Sequence, residues 1–186
     1  VSFNVAGGHS SMPNTKTAIT QAAAFTEALS DGLFESEFSA PLEGFITHLA
    51  PEMPWALKSV FANRFLTEPL LLSLYQKSHT GRALTNNTAV ATIMASGIKD
   101  NVVPASARVV CNSRILPGTT PDDVLERYTA LAAKYGGTVE PYQNMGSGPT
   151  STSSTESAEF LMLGQAVKKL FPDALVSPYL TIGGTD

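Results

Sequence analysis

Short stretches in which apolar and polar residues alternate mark the strands of this chain, because successive side chains of a strand point to opposite faces. SFNVA at residues 2–6 alternates in this way, and so does ARVVCNSRIL at 107–116. NTAVATIMASGI at 87–98 is rich in β-branched residues and stops near Gly97. Together with TVEPY at 138–142, these stretches predict four strands.

Apolar residues three and four apart predict two long helices. The apolar stripe of the first is formed by Ala18, Ile19, Ala22, Phe25 and Leu29. Asn14 or Thr15 is expected to cap its start, and Gly32 to end it. The apolar stripe of the second is formed by Val124, Leu125, Tyr128, Leu131 and Ala132. Thr120 is its predicted cap, with Pro121 in the first turn.

Prolines interrupt the helical pattern between Pro41 and about Arg82, which predicts two short helices, around 55–65 and 69–76. Near the end of the chain, Ser153 and Glu156 form a capping-box pattern that predicts a helix ending before Pro172.

The order of these elements predicts an α+β fold, a ferredoxin-like βαββαβ two-layer sandwich with a helical insertion at about 41–84. This arrangement occupies residues 1–145. Residues 143–155 are rich in Gly, Ser and Thr and indicate a linker, and ALVSPYLTIGG at 174–184 predicts a buried strand. One helix and one strand cannot bury their own apolar faces, so residues 146–186 are expected to be a linker and a piece of an α/β second domain that is mostly missing.

Composition and charge exclude several classes of function. The chain has 186 residues, 43% of them apolar, and a net charge of −4 without a basic run, which argues against a nucleic-acid partner. Its apolar stretches are far shorter than the roughly 20 residues that a membrane helix needs. Cys111 is the single cysteine, so no internal disulfide can form, and the cellular compartment stays open. The first residues lack the features of a signal peptide and are typical of a strand interior, which suggests a segment of something longer.

The arrangement of histidines and acids predicts no metal site within this chain. A metal ion needs several ligands held together, and His9, His48 and His79 each lack a second ligand at helical or strand spacing. Asp122 and Asp123 are explained as favourable charges at a helix N-terminus.

Histidine 9 stands in GGHSSMP at 7–13, between a glycine pair and two serines. Serine nucleophiles are disfavoured here, because no G-x-S-x-G elbow is present. His9 is either a functional loop residue or a polar turn residue, and the sequence leaves both open. His48 and His79 are better explained as helix-flanking residues with a polar tip in water.

Two further polar residues are candidates for holding a substrate. Arg114 ends a predicted strand, where its planar guanidinium suits a carboxylate, although a solvated strand-end arginine is an equal interpretation. The amide of Asn101 suits a carbonyl or carboxylate, or it satisfies its own turn.

Three stretches taken together resemble the M20 family of zinc-dependent metallopeptidases and aminoacylases. They are GGHSSMP at 7–13, NVVPASARVVCNSRILPG at 101–118 and GGTD at 183–186. LAPEMPW at 49–55 and the stretch 171–186 look closest to the carboxypeptidase S and PM20D1-like branch of that family.

The resemblance implies that residues 1–145 are a lid domain, inserted in a longer chain, that makes a homodimer. The catalytic domain of the family carries two zinc ions, whose ligands lie before and after such a segment. The fragment alone is therefore expected to be inactive and to bind neither ion. In the whole enzyme, zinc-activated water would hydrolyse the amide bond of a small peptide or N-acyl amino acid, with a glutamate from the absent part as general base.

The resemblance also assigns roles to residues. The match places His9 in the active site of the other subunit, where it helps to bind the substrate carbonyl oxygen as it becomes an oxyanion. The glycine pair would give the backbone freedom for this reach, and Ser10 or Ser11 would orient the ring by hydrogen bonding. Asn101 and Arg114 match positions that hold the substrate's carbonyl and terminal carboxylate. The loop that lines the catalytic cleft matches Gly183, Gly184, Thr185 and Asp186.

A function of another class stays open beside the enzyme. A ferredoxin-like module for self-association or ligand sensing would explain the predicted sheet and helices equally well.

For dimerisation, the edge strand and a neighbouring helix offer a self-complementary surface. The apolar helical insertion either covers an acyl chain or packs the lid, and packing is favoured because an apolar helix stripe is usually core.

Overall fold

A computed structural model describes residues 1–143 and 148–183 of the chain. The strands are β1 Ser2–Asn4, β2 Gly8–His9, β3 Thr88–Ser96, β4 Val102–Val103, β5 Ser106–Arg114 and β6 Gly137–Thr138. The α-helices are α1 Ala18–Ser30, α2 Ala40–Leu49, α3 Trp55–Ala62, α4 Arg64–Tyr75, α5 His79–Thr85, α6 Pro121–Lys134 and α7 Ala158–Leu170, and a 3-10 helix spans Ala50–Glu52. Helices and antiparallel strands occur together, which confirms the predicted α+β class.

The chain divides into two compact units. The first comprises Val1–Glu35, Asn87–Ile115 and Thr119–Gly148, and the second comprises Ser36–Asn86, Leu116–Gly118 and Pro149–Asp186. Within the described ranges, no helix is both long and apolar enough to cross a lipid bilayer.

The first unit is built on a four-stranded sheet with the order β3-β5-β1-β6. Each neighbouring pair is antiparallel, with Ser2 opposite Arg108 in β5 and opposite Thr138 in β6. Along β5, Ala107 and Val109 are buried and Arg108 is exposed, as the alternating pattern of the sequence predicts. β3 lies at one edge of the sheet and therefore has a strand neighbour on one side.

Two helices cover one face of this sheet with the stripes that the sequence predicts. Their buried residues are Ala18, Ala22, Phe25 and Leu29 of α1 and Val124, Tyr128 and Ala132 of α6. The ring of Phe3 in β1 packs on Phe25 at 5.6 Å between centroids, and both are fully buried. Ile19, which was expected in the stripe, is 45% exposed, because it lies at the edge of the contact face of α1.

The predicted cap of α6 is confirmed and that of α1 is wrong. The hydroxyl oxygen of Thr120 accepts a hydrogen bond from the backbone N–H of Asp123. The carboxylate of Asp123 in turn accepts hydrogen bonds from the hydroxyl and from the backbone N–H of Thr120, and these two bonds lower the pKa of Asp123. Thr17, not Asn14 or Thr15, caps α1 by accepting from the backbone N–H of Thr20. Asn14 instead donates to the carbonyl of Ala6, a contact between residues eight apart that a local capping pattern does not reveal.

The helical segment of the second unit contains four α-helices rather than the two predicted. Pro69 was expected to begin a helix but lies inside α4. It is on the exposed face, where water can satisfy the carbonyl that its missing N–H leaves without a donor. On the packed face, Arg64 forms ion pairs with Glu43 and with Glu68.

Helix α4 turns an apolar face to solvent. Phe65, Leu66, Leu70 and Leu74 are 80%, 70%, 58% and 50% exposed, whereas Leu71 is buried. Packing within the described part of this unit therefore accounts for only some of the apolar residues of the insertion.

The C-terminal segment departs from its prediction in two ways. Ser157, not Ser153, caps α7 by accepting from the backbone N–H of Phe160. The strand predicted at 174–184 is wrong for its described part, since 174–183 form no strand. A strand needs a neighbouring strand for its backbone groups. This segment instead contacts α2, where the side-chain hydroxyl of Ser177 donates to the carbonyl of Phe45 at 3.3 Å.

Candidate functional site

The ladder between β1 and β5 continues beyond the main sheet as a two-stranded arm, which we define as residues 5–11 and 99–105. Gly8 and His9 of β2 pair with Val103 and Val102 of β4. Backbone bonds from Val5 to Ala105 (2.9 Å) and from Ser10 to Asn101 (3.1 Å) join the two sides of the arm. β3 ends at Ser96, opposite Ala107, so the arm projects past the end of that strand.

Serine 11 holds the imidazole of His9 from one side. Its Oγ lies 2.9 Å from Nδ1 of His9, and its backbone N–H donates to the same nitrogen at 3.2 Å. A ring nitrogen that accepts an N–H cannot carry a proton itself, so the neutral imidazole carries its proton on Nε2. His9 is exposed and therefore presents an N–H donor to whatever approaches the arm. Of the two serines considered from the sequence, Ser11 makes the contact.

We expect the neutral ring of His9 to be mainly the Nε2–H tautomer in solution, as measured from long-range ¹⁵N–¹H couplings. Ser11→Ala removes one of two contacts to Nδ1, and one hydrogen bond contributes about 0.5–1.5 kcal/mol, so the tautomer ratio should fall by about two- to tenfold. Ser10→Ala is the matched control and should leave the ratio unchanged. A wild-type ring found mainly as Nδ1–H would contradict the geometry of the arm.

The glycine pair before His9 was expected to give the backbone freedom for the reach of His9, and the structure shows a different role for Gly7. Neither Gly7 nor Gly8 has a positive φ, and Gly8 lies in a strand. A Cβ at Gly7 would lie 3.1 Å from the carbonyl oxygen of Val103 and 3.3 Å from Cβ of Ala105. Gly7 therefore permits close approach of the two sides of the arm, whereas nothing lies within 4 Å of a Cβ at Gly8.

Asparagine 101 lies beside His9 on the opposite side of the arm. Its backbone carbonyl accepts from Ser10, and its side-chain Oδ1 is buried without a hydrogen-bond partner among the described residues. Oδ1 therefore does not satisfy the turn, which was one of its two interpretations. An enclosed acceptor without a donor costs about 1–3 kcal/mol.

Arginine 114 lies at the far end of β5 from the arm. Its backbone N–H donates to Oγ1 of Thr88 at 3.1 Å, its side chain is exposed, and its guanidinium makes no ion pair within residues 1–143 and 148–183. The eight residue steps from Ser106 to Arg114 span about 26 Å in a strand. The fold thus places His9 and Asn101 on the same arm, at neighbouring register positions, and holds both far from Arg114.

Of the four C-terminal residues proposed to line a cleft, Gly183 is exposed and lies in no helix or strand. Gly184, Thr185 and Asp186 lie outside the described residues.

The described side chains do not fit a metal ion. Among residues 1–143 and 148–183, no three His, Cys, Asp or Glu residues are grouped so that they could hold one.

Sequence reasoning missed the short strand β4, which fixes the position of His9. Val102 and Val103 are two β-branched residues that precede Pro104, and they could have been matched with Gly8 and His9 by extending the pairing of β1 with β5. Their run is too short to be found by periodicity alone.

Comparison with known proteins relates most of the chain to one family. Residues 2–140 match the model of the M20 peptidase dimerisation domain. The chain is 30% identical over 185 residues to human N-fatty-acyl-amino acid synthase/hydrolase PM20D1, covering 98% of this chain and 37% of that protein. It is 28% identical over 186 residues to the probable carboxypeptidase S-like 2 of Dictyostelium discoideum, covering 100% of this chain and 36% of that protein. The chain thus spans little more than a third of these curated relatives.

One solved structure resembles the fold. The M20 family metallo-carboxypeptidase Sso-CP2 from Sulfolobus solfataricus aligns with a TM-score of 0.57 at 19% identity, covering 99% of this chain and 50% of that one. At this identity the likeness concerns the fold alone.

Proposed function

Because the chain belongs to the M20 peptidase dimerisation-domain family, we propose that it is the lid of a di-zinc hydrolase that cleaves the amide bond of small peptides or N-acyl amino acids with a free carboxylate. The names of the two relatives, an N-fatty-acyl-amino acid synthase/hydrolase and a probable carboxypeptidase, support this substrate class. The zinc ions would be held by parts of the enzyme outside this segment, since the described residues offer no site for them.

In this proposal residues 1–145 are the lid, with the insertion at about 41–84, and residues 146–186 are a linker and the return into an α/β catalytic domain. The strand order β3-β5-β1-β6 and the packing of α1 and α6 on the sheet support a ferredoxin-like arrangement for the lid.

The long distance between His9 and Arg114 is the observation that supports an active site shared by two subunits. A small substrate cannot reach across the roughly 26 Å of β5 that lie between the arm and Arg114. Residues at opposite ends of one strand can still meet around one substrate if two copies of the chain are related by a two-fold axis.

His9 then completes the active site of the partner subunit. The Nε2–H that Ser11 leaves available donates to the substrate carbonyl oxygen and stabilises the negative charge that develops there. Asn101 accompanies His9 on the same arm, and its unpartnered amide oxygen gains a donor if substrate or partner reaches it. Arg114, from the other subunit, receives the terminal carboxylate through two parallel hydrogen bonds.

The homodimer would form through β3. This edge strand has nine residues without a charge, and Val90, Ile93 and Met94 are 55%, 52% and 49% exposed. A long apolar edge strand is a ready surface for pairing with another strand, and a two-fold partner would cover it.

The role of Arg114 is tested with matched substrates and the whole enzyme supplied with zinc. Converting the free carboxylate of an N-acyl amino acid into a carboxamide should lower kcat/KM by about tenfold or more, because a charge-assisted hydrogen bond contributes about 1.5–3 kcal/mol. In Arg114→Ala the two substrates should become nearly equal, whereas in the control Arg108→Ala the preference for the carboxylate should persist. An unchanged preference in Arg114→Ala would refute this role.

The competing function, a self-association or sensing module, predicts a dimer without hydrolysis. It gives no role to the Nε2–H of His9 or to the carboxylate preference. A whole protein that dimerises but cleaves neither peptides nor N-acyl amino acids in the presence of zinc would favour that alternative.

A further inference from the structure

An open cavity of about 500 Å³ lies beside the central strand β5 of the first unit. Its walls are β5 at residues 110–113, helix α6 near Tyr128, and the segment 139–143 that follows β6. Its position in the sheet, between β5 and the segment after β6, is that of β1 continued beyond Val1.

The backbone on the β5 side of the cavity is oriented for a strand. Val1 and Val109 exchange two hydrogen bonds, of 2.7 and 2.8 Å. Because alternate residues of a strand direct their N–H and C=O to the same neighbour, Cys111 and Ser113 direct theirs to the side on which Val1 lies. Neither has a β1 residue opposite it.

The cavity is also one strand wide. Ser2 lies between Arg108 on one side and Thr138 on the other, and the walls beyond it continue these two neighbours. Neighbouring strands lie about 4.8 Å apart. The cavity continues the gap between β5 and β6 in which β1 lies, so it has room for one further strand.

We propose that the residues preceding Val1 in the whole protein extend β1 by about four residues and fill this cavity. This inference rests on the proposed function, in which the lid is inserted in a longer chain. Continuing the register of Ser2 with Arg108 places the first to fourth preceding residues opposite Val110, Cys111, Asn112 and Ser113.

The register also predicts the chemistry of that segment. The second residue before Val1 lies on the same face as Val1 and Phe3, which is the face covered by α6. Its side chain would contact Cys111, Val124 and Tyr128, so it should be apolar. The first and third preceding residues lie on the opposite face, with Arg108 and Tyr142.

A small-molecule ligand is a poorer occupant of this cavity. The hydroxyls of Ser113 and Tyr128 bond each other at 3.0 Å. Among the described residues, the buried side-chain atoms that lack a partner are Gln21 Oε1, Ser39 Oγ and Asn101 Oδ1, and none of these residues lines the cavity. Partial burial already raises the pKa of the Cys111 thiol and raises that of Tyr128 to about 12, which suits a wall that packs against apolar groups.

Hydrogen exchange and thiol labelling of the whole protein test the proposal. The amides of Cys111 and Ser113 should be protected to within about tenfold of Val109, because all three would bond β1. Iodoacetamide should label Cys111 at least about a hundredfold more slowly in native than in denatured protein. Unprotected amides, or labelling as fast as in denaturant, would overturn the proposal.

A proline substitution locates the segment. Proline for the second residue before Val1 removes an N–H that would donate to Cys111, and should speed labelling of Cys111 by about tenfold or more. Alanine at the same position keeps the N–H and should cause a smaller change. Labelling of Cys111 at the wild-type rate in both variants would count against the strand.

Hydrolysis of an N-acyl amino acid is measured in parallel. A filled cavity in an inactive protein refutes the proposed function alone. An empty cavity in an active enzyme refutes the strand alone.

Discussion

His9→Ala in the whole, zinc-supplied enzyme should lower kcat/KM for an N-acyl amino acid by about a hundredfold or more, as loss of an oxyanion donor typically does. The physical reason is the Nε2–H that Ser11 leaves available at the tip of the arm. His79→Ala is the matched control, because His79 is also exposed and its ring contacts Arg82 within its own helix. The control should retain wild-type activity.

Mixing two inactive variants tests whether the active site is shared between subunits. His9→Ala and Arg114→Ala are allowed to exchange subunits at equal concentration. In a mixed dimer, one site receives both substitutions and the other receives neither, so random mixing should restore about a quarter of wild-type activity. If both residues served the site of their own subunit, mixing would restore nothing. A fully active His9→Ala enzyme would show that His9 has no part in catalysis.

Met94→Lys should weaken the dimer by about tenfold or more in dissociation constant. It introduces a charge into the uncharged edge strand β3, and the two-fold axis brings a second lysine to the same interface. Analytical ultracentrifugation over a concentration series measures the effect. Activity should fall on dilution in parallel with dissociation, because the proposed site needs two subunits.

Thr129→Lys is the control for the dimer. Thr129 is exposed on α6, the helix that packs against β6 at the other edge of the sheet, and it receives the same charge. Its dissociation constant should match that of the wild type. An unchanged dimer in Met94→Lys would show that β3 is not the interface, while hydrolysis that persists in a proven monomer would refute the shared site.

Local sequence patterns predicted most of the elements of the first unit. The alternation of β5 and the stripe and cap of α6 depend on residues within a few positions of one another, and these predictions are confirmed. The motifs that resemble the M20 family likewise predicted a relationship that the family model confirms over residues 2–140.

Predictions failed where a distant contact decided the outcome. Asn14 has the right chemistry for a cap but bonds Ala6 instead. The segment 174–183 has the composition of a strand, yet it packs on α2 and its neighbours in place of a sheet. Pro69 sits within α4 because its ring faces solvent, which periodicity does not reveal.

The candidate site likewise has a part that the sequence predicted and a part that depends on the fold. The sequence by itself determined that His9, Asn101 and Arg114 are the polar residues to examine, since residue types and spacing are local properties. Only the tertiary structure decided that His9 and Asn101 lie on one arm while Arg114 lies at the opposite end of β5. The reason is that strand pairing joins residues about a hundred positions apart, and its register, which sets these distances, is fixed by packing of the whole sheet.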